Sequence, residues 1–108
     1  VNDNDLILSN VLNYPNPFIS YTEFWFNHNK PNETLDVQVQ IFTVSGKLVK
    51  TLNRSVQSDG LLSREISWNG LDDFGNKIGK GVYVYKLHVR SQISNARAEK
   101  FEKLVILQ

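Results

Sequence analysis

A strict two-residue alternation of apolar and polar side chains constrains the fold of this chain more than any other feature of its sequence. It is clearest in LDVQVQIFTV, residues 35–44, where Val37, Val39 and Ile41 alternate with Asp36, Gln38 and Gln40. Successive side chains of a β-strand point to opposite faces, so this pattern predicts a strand with one buried face and one solvated face. No segment shows a sustained helical period, so we predict an all-β protein.

Six further segments predict strands, and Gly, Asn and Pro residues separate them. These segments are residues 6–12, 22–28, 47–52, 61–68, 81–89 and a last strand within 97–107. Short strands at such spacing predict an antiparallel β-sandwich of about seven strands. The predicted core contains Phe24, Phe26, Val37, Val39, Ile41, Trp68, Tyr83, Tyr85 and Leu87.

Two prolines in NYPNPF predict a stiff connector between the first two strands. Proline fixes φ, lacks a backbone N–H and pushes the preceding residue towards extended geometry. The segment from Asn13 to Phe18 is therefore predicted to be neither helix nor central strand. We expect it to pass the chain from one sheet to the other or to end strand pairing cleanly, with Tyr14 and Phe18 anchored in the core.

Composition excludes several classes of function. The chain has 108 residues, which fit one domain, and a net charge of +1 with scattered Lys and Arg, which argues against a nucleic-acid surface. It has no Cys, so disulfides, zinc–thiolate sites and thiol nucleophiles are excluded. No apolar run approaches the ~20 residues of a transmembrane helix. Without an initiating Met or a signal peptide, we expect a fragment of a larger protein.

No residue pattern predicts catalysis, a cofactor or a metal. His28 and His88 are the two histidines, and they fall on different strands with no Ser–His–acid arrangement beside them. The Gly-rich stretch WNGLDDFGNKIGKGVYVY holds Asp72, Asp73 and Asn76, but it lacks the spacing and terminal Glu of an EF-hand calcium loop. These residue types favour tight turns, which is how we interpret the stretch.

The order and spacing of several motifs carry a family resemblance. They are YPNPF, VQVQIFTVSGKLVKTL, W-N-G-x-D-D-x-G-N-x-I-G-x-G-V-Y-V-Y-K-L and a terminal apolar strand containing lysine. Together they resemble the C-terminal Ig-like domains carried by cargo of the bacterial type IX secretion system, and they are similar to the Ig-like domain of flagellar hook-capping proteins. The resemblance covers about residues 12–108. It implies that residues 1–108 form a single Ig-like C-terminal domain of seven strands.

The resemblance also implies a function. Such domains are export signals recognised at the outer membrane, and a gingipain-like cysteine-peptidase sortase usually cleaves them off and attaches the cargo to surface lipopolysaccharide. The sortase carries and keeps such a domain. The polar residues His28 and Asn29, with a final Gln108, depart from the cargo pattern and favour the sortase's own copy.

The predicted function is therefore a non-catalytic sorting and interaction domain, passing through the periplasm to the outer membrane or cell surface. The expected partners are outer-membrane export and attachment proteins and upstream domains of the same chain, with no nucleic acid and no transmembrane segment. The alternative is a generic Ig-like spacer of a surface or hook-capping protein, which the fold alone would allow. Nothing in the sequence supports an enzyme.

Four residues are the candidate partner-binding residues. Trp25 falls opposite Phe24 and Phe26, so it is either exposed for a partner or covered by a loop or a preceding domain. In KLVIL, we place Phe101, Val105 and Leu107 inward, which leaves Leu104 and Ile106 outward beside Lys103. An apolar outward face on a terminal edge strand is a liability unless a partner or the same sandwich covers it.

Overall fold

The computed structural model describes residues 5–107 as seven antiparallel strands in two facing sheets. The strands are β1 (Ser9–Tyr14), β2 (Thr22–Asn27), β3 (Thr34–Thr43), β4 (Leu48–Gln57), β5 (Leu62–Trp68), β6 (Gly81–Ser91) and β7 (Arg97–Ile106). One sheet has the order β1-β2-β5, and the other has the order β4-β3-β6-β7. The predicted sandwich of about seven strands is confirmed.

The core lies between the two sheets, where the alternating side chains predicted it. All of the predicted core residues are buried except Tyr83, which is half-buried and packs against the others. Aromatic rings join the sheets: Phe24 of β2 meets Tyr85 of β6 with ring centroids 4.9 Å apart in an edge-to-face arrangement. This geometry is favourable for aromatic pairs beyond their burial alone.

Two strands differ from the sequence prediction by three residues or more at one end. β4 continues to Gln57, five residues past the predicted end, because it pairs with β3 as far as Thr34. Its polar residues carry no alternation signal of their own, so pairing with a neighbour decides where the strand ends. β1 begins at Ser9 rather than residue 6, and a register shift precedes Leu12.

The proline connector ends strand pairing but does not pass between sheets. It joins β1 to β2, which are antiparallel neighbours in the three-stranded sheet, and both of its X-Pro bonds are cis. Phe18 is buried, as predicted, and its ring contacts that of Trp68. Tyr14 is 60% exposed, so its predicted anchoring in the core is wrong. Tyr14 pairs with Glu23 on the outer face, and the buried position of β1 belongs to Asn13.

The acidic loop between β5 and β6 is a turn, as predicted. Asp72 Oδ1 accepts hydrogen bonds from the backbone N–H groups of Phe74 and Asn76, each at 2.9 Å. The backbone N–H of Gly75 donates to Asp72 O at 3.1 Å, and Gly75 adopts a φ of +84°, which glycine reaches without steric cost. The Asp72 carboxylate is thus used to hold the loop.

Candidate interaction surfaces

Trp25 lies at the centre of an aromatic cluster on the outer face of the three-stranded sheet. It is half-buried, because two neighbouring side chains cover it. The Arg64 guanidinium carbon lies 4.1 Å from the Trp25 ring centroid, and the Tyr14 ring lies at 5.3 Å. Residues of this chain therefore cover part of Trp25, while Tyr14 remains largely exposed beside it. Trp, Tyr and Arg are the residue types that dominate binding energy at interfaces.

Glu23 holds this cluster in one arrangement. Its carboxylate accepts hydrogen bonds from the Tyr21 hydroxyl and, at 3.0 Å, from Trp25 Nε1. The Tyr21 hydrogen bond, followed by that of Trp25, lowers the pKa of Glu23, and nearby Arg64 acts in the same direction. A surface whose side chains are already fixed loses less conformational entropy when a partner binds.

The predicted phase of β7 is wrong. Leu104 is 0% exposed and Ile106 is 3% exposed, whereas Phe101 is 57% exposed. Directly paired residues of an antiparallel sheet share a face, and Leu104 pairs with Tyr83, whose ring packs against the core. Leu104 and Ile106 therefore belong to the core of the same sandwich and do not face a partner. Lys103 faces outward and is exposed.

The connector seals the C-terminal half of the β7 edge. The Asn16 side chain donates to Lys103 O at 3.2 Å and accepts from the Val105 N–H at 3.0 Å. The Phe18 backbone then donates to Val105 O at 3.1 Å and accepts from the Leu107 N–H at 2.9 Å. Strand addition by a partner at residues 103–107 would have to displace these four hydrogen bonds.

The other edge of the four-stranded sheet is formed by β4, and it is also protected against pairing with another chain. The Thr51 N–H donates to Asp73 Oδ1 at 3.3 Å, and Arg54 Nη1 donates to the neighbouring Asn53 O at 2.9 Å. Lys50 points inward on this edge strand and lies 3.5 Å from Asp73. Inward charges and capped backbone groups discourage pairing with another chain.

An apolar surface that the sequence analysis missed lies on the outer face of the four-stranded sheet. We call it the apolar half-face, and its residues are Phe42, Leu48, Val82, Val84, Phe101 and Val105. Cross-strand pairs join Phe42 to Leu48 and to Val84, Val82 to Val105, and Val84 to Lys103. Three of them are exposed, namely Leu48, Val82 and Phe101, and the other three are partly buried. GVYVY contains only two of the six residues, Val82 and Val84, which make the start of β6 apolar on both faces.

Among residues 5–107, no group of His, Asp and Glu side chains has an arrangement that would hold a metal ion. His28 is buried and serves the fold: the Lys30 N–H donates to its Nδ1 at 3.1 Å, and its Nε2 lies 3.0 Å from Ser58 Oγ. The Ser58 hydroxyl donates in turn to Gly60 O, so the proton of the neutral ring lies on Nε2. No helix in the described part of the chain is long and apolar enough to cross a membrane.

The two sheets and their strand order define an Ig-like β-sandwich, a class of domain that is not itself catalytic. The sequence from the start of β2 to just past β6, residues 22–92, matches the model of the FlgD Ig-like domain family. The chain belongs to this family. No curated protein sequence matches the chain significantly.

Two solved structures contain similar regions. Dimeric latent PorU from Porphyromonas gingivalis matches 94% of this chain with a TM-score of 0.77 and 29% sequence identity. Bacteroides uniformis β-glucuronidase 2 matches 96% with a TM-score of 0.50 and 14% identity, a likeness of fold alone. The chain spans only 9% and 14% of those two chains. The family model and the PorU match are consistent with the family resemblance drawn from the motifs.

Proposed function

We propose that this chain is a non-catalytic C-terminal sorting and interaction domain, which directs its parent protein through the type IX secretion system to the bacterial cell surface. The observation that carries the proposal is the likeness to PorU, because it extends over 94% of the chain at 29% identity. The motifs from YPNPF to the terminal strand support it independently. Membership of the FlgD Ig-like family supports a role in contact rather than catalysis.

On this proposal, residues 1–108 are one domain of a larger protein, and the parent is a gingipain-like cysteine peptidase, the type IX sortase. The domain reaches the outer membrane or cell surface after passing the periplasm. Its partners are proteins of the export and attachment machinery and the upstream domains of its own chain. Trp25 and Lys103 are the residues we assign to partner contact, one on the outer face of each sheet.

A passenger fusion tests this function. A fluorescent protein is joined to the N-terminus of this chain and expressed in a bacterium with a working type IX system, and passenger in the medium and on the surface is quantified. The matched control is the same passenger joined to the matching region of β-glucuronidase 2, which is similar in fold at 14% identity.

We expect secretion with this chain and retention with the control. Equal secretion with both would contradict the proposal, since a shared fold would then be sufficient. Retention of both would instead favour the generic spacer.

A further inference from the structure

We propose that a partner protein with an apolar centre and an acidic rim docks face-on against the apolar half-face, an inference that rests on the proposed function. An antiparallel sheet with one solvated face alternates apolar and polar residues. β6 follows this rule over its second half, where Lys86, His88 and Arg90 point outward. Its first half breaks the rule with Val82 and Val84. The departure leaves apolar side chains together on the outside of the sheet, and such patches with a polar rim are often interaction sites.

The neighbouring strands also carry outward apolar residues at the same level of the sheet. Phe42 of β3 pairs with Val84, and Val105 of β7 pairs with Val82, so the apolar positions form one contiguous area. Further along the same strands the outward residues are polar, as in the cross-strand row of Gln38, His88 and Glu99. The outer face of the four-stranded sheet is therefore divided into an apolar half, at the end where β6 begins and β7 ends, and a polar half at the opposite end.

The charges around the apolar half-face define the chemistry of the partner. Four lysines lie beside it in sequence or register: Lys47, Lys80, Lys86 and Lys103. Asp72 and Asp73 lie with Lys47 and Leu48 at one corner, but both carboxylates are already engaged within the chain. Lys86 Nζ lies 4.0 Å from Glu99 Oε2. Within residues 5–107 the other three lysines take part in no ion pair. Acidic residues on the partner would complement this rim. A second copy of the chain would bring lysines against lysines, so we favour a different protein.

The geometry favours a face-on contact over strand addition. The connector occupies the β7 edge at residues 103–107, and Asp73 and Arg54 cap the edge of β4. The apolar half-face spans four strands about 4.8 Å apart and roughly three cross-strand rows, or on the order of 300 Å². Stable complexes cover about 800 Å² on each partner. A contact of this size fits transient docking during export.

The passenger fusion described above, carrying Val84→Ser with Phe101→Ser, tests the docking surface. The matched control carries Leu61→Ser with Ile93→Ser, which removes two other exposed apolar side chains, 56% and 72% exposed, away from this surface. We expect secretion to fall at least tenfold for the first pair and to stay within twofold of wild type for the second. Thermal unfolding of both purified variants should confirm that they remain folded.

A charge series tests the acidic rim. Lys86→Glu with Lys103→Glu should reduce secretion at least tenfold, whereas Lys86→Arg with Lys103→Arg should preserve it. If the wild-type fusion and the folded Val84/Phe101 variant are both secreted normally, the docking surface is contradicted. The proposed function is not affected by that result. Retention of the wild-type fusion overturns both.

Two measurements on the purified chain test whether a membrane or a second copy of the chain occupies this surface instead of a partner protein. Sedimentation with vesicles of phosphatidylethanolamine and phosphatidylglycerol should show no binding that depends on Val84 and Phe101, and sedimentation velocity should show a monomer. Vesicle binding lost in the Val84/Phe101 variant would overturn the inference in favour of a membrane surface. A dimer lost in that variant would overturn it in favour of a second copy.

Discussion

At the scale of single residues, the most informative side chain is Tyr85, whose ring fills the core while its hydroxyl lacks a partner. Tyr85 is fully buried, and its Oη makes no hydrogen bond among the described residues. Burial raises the pKa of this phenol, and the nearby Glu102 raises it further. A buried hydroxyl without a partner costs roughly 1–3 kcal/mol of desolvation.

We therefore expect Tyr85→Phe to raise the free energy of unfolding by about 1 kcal/mol, since it keeps the ring contact with Phe24 and removes the unpaired hydroxyl. Urea denaturation measures the change. Tyr83→Phe is the matched control, because the Tyr83 hydroxyl donates to Gly79 O at 2.7 Å. That variant should lose about 0.5–1.5 kcal/mol. Destabilisation by Tyr85→Phe would show that its hydroxyl has a partner.

His28 makes the stability of the domain depend on pH. Burial lowers the pKa of His28 from its ordinary value of 6.5, while Glu33 opposes this shift. Because the unfolded state then binds a proton more readily than the folded state, stability is complete above about pH 6.5 and falls as the pH decreases. Urea denaturation at pH 7.5 and 5.5 should show this loss. His28→Gln should lose less over the same interval, and an equal loss would assign the effect to other groups.

At the scale of secondary-structure elements, β7 shows how neighbours set the phase of a strand. Phe101 is apolar but faces outward opposite Lys86, and Leu104 takes the inward position opposite Tyr83. The connector fixes this arrangement from the other side through Asn16 and Phe18. The strand thus lies between β6 and a segment that is 87 to 89 residues away in sequence.

The phase of β7 predicts which substitutions unfold the domain. Leu104→Ala should cost about 2–5 kcal/mol, since it leaves a cavity at a fully buried position. Phe101→Ala removes a larger side chain from an exposed position and should change stability by about 0.5 kcal/mol or less. Thermal unfolding of the two variants gives the comparison. If Phe101→Ala destabilised the domain more than Leu104→Ala, Phe101 would face inward and the observed phase of β7 would be contradicted.

At the scale of the whole molecule, the two sheets depend on each other for stability. Neither sheet can bury its apolar face alone, and the contact of Phe24 with Tyr85 lies across the space between them. In the four-stranded sheet, side chains cap part of the β4 edge and the connector covers the β7 edge at residues 103–107. The outer faces of both sheets present exposed side chains for recognition. The Trp25 cluster lies on one face and the apolar half-face on the other.

Phe24→Ala tests this dependence. We expect a loss of about 3–5 kcal/mol, a large part of the roughly 5–15 kcal/mol of a typical domain. Far-ultraviolet circular dichroism and tyrosine or tryptophan fluorescence should report one coincident transition, because Trp25 and Trp68 belong to the sheet that loses Phe24 while Tyr85 belongs to the other. Two separated transitions would show that the sheets unfold independently.

The sequence by itself determined the fold class, most strand positions and the inward residues of β2, β3 and β6. Those strands alternate apolar and polar residues strongly enough that a shift by one residue would place their apolar side chains in water, so the local pattern specifies the face. The turn at Asp72 was equally local, because its side chain bonds backbone groups two and four residues away.

Only the tertiary structure decided the phase of β7, the exposure of Tyr14 and the position of the apolar half-face. The run LVIL is apolar on both faces, so its period carries no information about which face is buried. Pairing with β6 selects Leu104 and Ile106 for the core. The apolar half-face is assembled from four strands, and no single segment contains enough of it to be recognised. Its residues meet because sheet pairing brings distant parts of the chain to the same level.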